Sequence, residues 1–125
     1  MATGYSSDEY NGWPNRESWA AALHISNDEA LFDIIRAEVE AGLSAFLDKP
    51  YCKRQPFSER LRTLAGIAIR EHVEYLAEAT RNQDIDLEIR ETITMMLDEI
   101  GSRWRVDWDL VSEALFSDEE LLAIA

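Results

Sequence analysis

Residues 58–81 read SERLRTLAGIAIREHVEYLAEATR, and this stretch decides the fold class. Leu61, Leu64, Ala65, Ala68, His72, Val73 and Leu76 recur mostly at spacings of three and four, so they share one side of a helix. The same spacing continues upstream. Leu31, Ile35, Val39, Leu43 and Phe46 predict a helix running to about Asp48 and stopped by Lys49-Pro50. Ser26 to Glu29 has the spacing of a capping box at its start. Before it, Trp13-Pro14-Asn15 reads as a turn in which Asn15 caps a short helix through Ile25.

Downstream, Asn82 to Asp84 break the long helix. Ile85, Ile89, Ile93, Met96, Leu97 and Ile100 mark a fourth helix, closed by Gly101 as the residue after its end. Asp107 can cap a fifth, with Trp108, Val111 and Leu115 facing inward, and Ser117 to Glu120 opens a short terminal one. Arg103-Trp104-Arg105-Val106 could be extended. Only five Gly and three Pro punctuate the chain, and no strand alternation occurs. The expectation is an all-α fold, a compact bundle of five to six helices. Residues 11–125 form one domain, and residues 1–10 a flexible N-terminal tail.

The bulk numbers agree with one domain. The chain has 125 residues, of which 46% are hydrophobic, enough to build a core without staples. A single cysteine, Cys52, excludes an internal disulfide and fits a reducing compartment. The polar, acidic N-terminus is unlike a signal peptide, and no apolar run is long enough for a bilayer. The expected location is the cytoplasm, without membrane association.

Catalysis has little to stand on. His24 and His72 are isolated, neither three nor four residues from a second His, so metal-ligand spacing is missing. Lys53 and Arg54 favour a thiolate at Cys52, yet no motif supplies an oriented base. Gly-rich phosphate loops are absent. No catalytic residue, metal or cofactor is expected, and a small enzyme built on His24, His72 or Cys52 is the weakest alternative.

Charge carries the functional expectation. Twenty-five acids against twelve bases give a net charge of −13. Residues 49–62 hold five bases against Glu59 alone, a local +4, so the rest of the chain carries −17. Such a field repels nucleic acid and attracts basic surfaces. Glu71, Glu74 and Glu78 line one helix face at i, i+3, i+7, and Asp84, Glu88 and Glu91 repeat the idea at i, i+4, i+7. Successive carboxylates about 4.5–6 Å apart along such an axis roughly match a phosphate backbone in pitch. These six residues are the expected partner-binding surface. The expected partner is a basic, nucleic-acid-binding protein complex whose groove such a rail could occupy as a DNA mimic, with no direct binding of nucleic acid. Solubility alone is the plainer reading of the same charge. The basic 49–62 segment could also pair with the acidic face of a second copy, giving a homodimer.

Aromatic residues gather near the chain's two ends: Tyr5, Tyr10, Trp13 and Trp19, then Trp104, Trp108 and Phe116. Trp13, Trp19, Trp104 and Trp108 are expected to form a structural cluster in which the N-terminal turn packs on the C-terminal helix. Exposed, they would instead anchor a partner, making the chain a non-enzymatic interaction module.

Two segments resemble a known signature. Asn11-Gly12-Trp13-Pro14-Asn15-Arg16-Glu17-Ser18-Trp19, followed by Ala22-Leu23-His24-Ile25-Ser26-Asn27-Asp28, is similar to an N-G-W-x-N-x-E-[S/T]-W pattern in small proteins of bacteriophages, plasmids and their hosts. Pro14 stands where a polar residue is usual, and His24 where Trp is usual. Val106-Asp107-Trp108-Asp109-Leu110-Val111-Ser112-Glu113 resembles the [I/V]-[N/D]-W-x-x-[I/V]-x-E segment near the end of the same proteins. The resemblance implies no catalytic residues and no established activity. Its implication is a mobile-element context, in which small acidic proteins often act as anti-CRISPR or anti-restriction inhibitors.

Overall fold

The structure, a computed structural model, describes residues 12–47 and 57–124. Six α-helices occupy them: α1 (Arg16–Asn27), α2 (Glu29–Leu47), α3 (Phe57–Arg81), α4 (Leu87–Ile100), α5 (Trp108–Leu115) and α6 (Asp118–Ile124). One turn of 3₁₀ helix, η1 (Arg103–Arg105), joins α4 to α5. The expected tail at 1–10, the helix stop at Lys49-Pro50, most of the basic segment and Cys52 lie outside the described residues.

Local sequence sets most helix ends. Asn15 accepts a 2.8 Å hydrogen bond at Oδ1 from the Ser18 N–H, which caps α1 as expected. Ser117 and Glu120 exchange reciprocal bonds of 3.1 and 2.9 Å, the expected capping box. Those Ser117 bonds, the backbone one first, hold the Glu120 carboxyl below its ordinary range. Gly101 takes φ +73° and donates its N–H to the Leu97 carbonyl at 2.9 Å, so α4 ends where a residue without Cβ is easiest to place.

The expected capping box at Ser26 does not form. Asp28 occupies the cap instead, its Oδ1 accepting from the Leu31 N–H at 2.8 Å, while Ser26 Oγ donates back to the Leu23 carbonyl. The reason lies in α1, which continues through Asn27 and leaves Ser26 inside a helix. Asp28 Oδ2 also accepts from Thr92 Oγ1 at 3.1 Å, tying the α1–α2 corner to α4.

Helix α3 is the central strut. At 1.5 Å per residue its 25 residues span roughly 38 Å, and it packs most extensively against α5 and α2. Leu61, Ala65, Ile69, Val73 and Leu76 meet Leu31, Ile35, Val39 and Leu43 of α2, Ile93, Met96 and Ile100 of α4, and Val111, Leu115 and Phe116 in one buried cluster. Gly66 permits the closest approach. A Cβ there would sit 2.8 Å from the Trp108 carbonyl oxygen, so only glycine lets the start of α5 lie against α3.

Candidate functional site

The outer face of α3 carries Glu71, Glu74 and Glu78, all exposed, as the spacing requires. Their charges are not equivalent. Arg103 reaches across from η1 to Glu74, with Nε 3.1 and 3.2 Å from the two carboxylate oxygens and Nη2 3.1 Å from Oε1. Two-point contact of this kind fixes the guanidinium and neutralises the middle member of the row. Glu71 and Glu78 enter no ion pair among the described residues.

The second expected row is broken. Helix α4 begins at Leu87, so Asp84 lies three residues before it, just after a turn at Asn82 and Gln83. Gln83 adopts φ +60° there, and the Asp84 N–H bonds back to the Ala79 carbonyl at 2.9 Å. That reversal of the chain removes Asp84 from the helical register that the i, i+4, i+7 spacing assumed. Glu88 and Glu91 remain exposed on α4, and all six expected acids are solvent-facing. Glu91 borders an open hollow of about 660 Å³ with Thr80, Gln83, Arg90, Thr94 and Met95.

The four tryptophans separate into two groups. Trp13, Trp19 and Trp108 are half-buried against the core. Trp13 and Trp19 line a shallow hollow with Ala22, Leu23, Ser26, Ala114 and Leu115, so the N-terminal turn does meet the C-terminal helix. Trp104 does not join them: it is 84% exposed, which corrects the four-member cluster expected from the sequence. The cause is the turn it occupies. In 3₁₀ geometry positions three apart eclipse one another, so Val106, sunk into the core, and Arg103 share a side and Trp104 turns away. Nor is the segment extended. Arg105 N–H donates to the Ser102 carbonyl and Val106 N–H to that of Arg103, both at 3.1 Å.

A groove between α2 and α3 was not visible in the spacing. Glu38, Ala41 and Gly42 form one wall, and Ala68, Glu71, His72 and Tyr75 the other, enclosing an open cavity of about 650 Å³. The His72 and Tyr75 rings stack at 5.3 Å with 25° between planes, and Tyr75 is 60% exposed. His72 Nδ1 stands 3.7 Å from Glu38 Oε1. Burial lowers the His72 pKa below its ordinary 6.5, and the Glu38 charge opposes that shift only in part. The ring is therefore mostly neutral at pH 7. The signal available in the sequence was the set of small residues Ala41, Gly42 and Ala68 on helix faces that flank an aromatic pair.

His24 lies on α1, where Nε2 is 3.8 Å from Glu99 Oε1 and makes no hydrogen bond. Among the described residues no three His, Cys, Asp or Glu side chains converge as metal ligands, and no helix is long and apolar enough to cross a membrane.

Comparison with curated proteins and with solved structures finds no match. The sequence model of a family described as Family of unknown function (DUF7249) matches residues 6–103, most of the chain and all of α1 through α4. The chain belongs to that family.

Proposed function

We propose that this chain is a binding protein rather than a catalyst, and that it engages a basic, nucleic-acid-binding protein complex through the exposed acids of α3 and α4. The finer form of this reading is an inhibitor of a host DNA-binding defence complex, of anti-CRISPR or anti-restriction type, that occupies the nucleic-acid groove as a DNA mimic. One observation carries it. Glu71, Glu78, Glu88 and Glu91 are exposed and enter no ion pair among the described residues, so their charge is available to a partner. Glu88 and Glu91, three residues apart on α4 and both exposed, repel each other, a repulsion that a cationic partner would relieve.

The test is capture from host lysate on tagged protein, washed at rising salt and then with added DNA. Displacement of a nucleic-acid-binding complex by either treatment is expected, because affinity built on charge falls steeply with ionic strength. The triple variant Glu71→Lys, Glu78→Lys, Glu91→Lys should keep its helical spectrum and lose that complex. Undiminished capture by the triple variant would overturn the reading.

A second reading rests on Trp104, whose 84% exposure is unusual for the largest apolar side chain. In it the chain is an interaction module that docks through an aromatic anchor, and its charge serves solubility. Capture would then resist salt and disappear with Trp104→Ala.

A further inference from the structure

The groove between α2 and α3 combines features that the acidic faces lack. It is concave, and its lining combines the small residues Ala41, Gly42 and Ala68 with an exposed aromatic ring, Tyr75, and two carboxylates, Glu38 and Glu71. Gly42 and Ala68 bring the two helices together, since a Cβ at Gly42 would lie 3.4 Å from Ala68 Cβ. The longer side chains of Glu38 on α2 and of Glu71 and Tyr75 on α3 line the same cavity.

We propose that this groove is a receptor for a single arginine side chain presented by a protein partner, with the guanidinium laid on Tyr75 between Glu38 and Glu71. Three physical points select that occupant. A cation over an aromatic face is attracted by the ring's quadrupole, and Tyr75, stacked on His72, remains 60% exposed. Burial keeps His72 mostly neutral, so the ring stacked beneath does not repel the incoming charge. A planar guanidinium can stack and still present donors to both sides, whereas an ammonium is a compact, strongly hydrated point charge. The net charge of −13 favours a cationic visitor and disfavours a second copy of this chain. At about 650 Å³ the groove also has room for the backbone on either side of that arginine.

This inference deepens the reading proposed above by naming one anchor of the basic partner, and it is tested without that partner. The probe is the capped tripeptide Gly-Arg-Gly, titrated into isotopically labelled protein and followed by NMR. The controls are the same peptide with lysine, and with citrulline, which keeps the shape and lacks the charge. Saturable shifts should centre on the Tyr75 ring and the Gly42 and Ala68 amides. Lysine should bind more weakly and citrulline not at all.

Tyr75→Ala should weaken the arginine peptide by about two- to fivefold, the contribution of an exposed cation–π contact. Glu38→Gln should weaken it as well. Both positions are exposed, so a retained amide spectrum will show that the variants fold. Shifts spread over every acidic residue, or equal shifts with arginine and citrulline, would overturn the proposal. Capture of the basic complex unaffected by Tyr75→Ala, alongside peptide binding that fails, would remove the groove and leave the acidic faces standing. Peptide binding as expected, with capture indifferent to salt, would do the reverse.

Discussion

Ser18 and Asp107, 89 positions apart, are joined by a 2.8 Å hydrogen bond from the Asp107 backbone N–H to the Ser18 hydroxyl oxygen. Ser18 is fully buried, and its neighbour Asn15 donates through Nδ2 to the Arg105 carbonyl at 2.9 Å. The two segments whose residues resemble a shared signature therefore form one clasp, closing the start of α1 on the entry to α5. Asp107 meanwhile caps α5, its Oδ1 3.3 Å from the Leu110 N–H.

Breaking the clasp should be costly. Ser18→Ala leaves the Asp107 N–H without its acceptor, and losing that part-buried hydrogen bond should cost about 0.5–1.5 kcal/mol. Ser112 offers the internal contrast: it is equally buried, and its hydroxyl has no hydrogen-bond partner. Ser112→Ala should be neutral or stabilising, because it removes a polar group already desolvated without compensation. Urea denaturation of both variants checks the pair.

Gly66→Ala should destabilise the fold by about 1–3 kcal/mol, the usual range for forcing atoms into a packed contact. The new methyl meets the Trp108 carbonyl oxygen at 2.8 Å, and backbone cannot swing aside as a flexible side chain can. A drop in thermal midpoint that exceeds the effect of Gly42→Ala, where the nearest atom is at 3.4 Å, is the expected result.

Trp104→Ala and Trp108→Ala should separate cleanly in stability. The first removes an exposed ring from η1 and should change unfolding free energy by no more than about 0.5 kcal/mol. The second removes a ring packed against the core and should cost at least about 2 kcal/mol. Equal losses in the two denaturation curves would contradict the assigned positions.

Stability should rise with pH through the window just below 6.5 because of His72. Its folded pKa lies below the ordinary 6.5, chiefly through burial, with Glu38 opposing from α2 and Glu71 and Tyr75 beside it on α3. Between the two values the unfolded chain binds more protons, so acid favours unfolding there. Thermal midpoints followed downward from neutral pH should fall less steeply in His72→Gln than in the unmodified chain.

The Glu74–Arg103 pair should contribute under about 1 kcal/mol, since both side chains reach solvent. Its larger effect is positional. Arg103→Ala should free η1 and shift the Trp104 fluorescence while leaving the global unfolding midpoint nearly unchanged.

The sequence by itself determined the helices, because their signals are local. Apolar spacing of three and four residues marks the buried side of α2 and α3 wherever those helices finally pack. Asn15, Gly101 and the Ser117–Glu120 pair satisfy backbone groups within four residues of themselves. Tertiary structure decided the rest. Ser26 lost the cap to Asp28 because α1 ran on, and Asp84 left the acidic row because Gln83 reversed the chain. Which acids keep free charge depended on where Arg103 landed, 29 residues from Glu74. Trp104 was exposed by the sense of a single 3₁₀ turn, and the Tyr75 groove exists only where two helices meet over Gly42 and Ala68. Spacing along a chain reports which residues share a helix face; what stands opposite that face is set by contacts between distant segments, which no local pattern encodes.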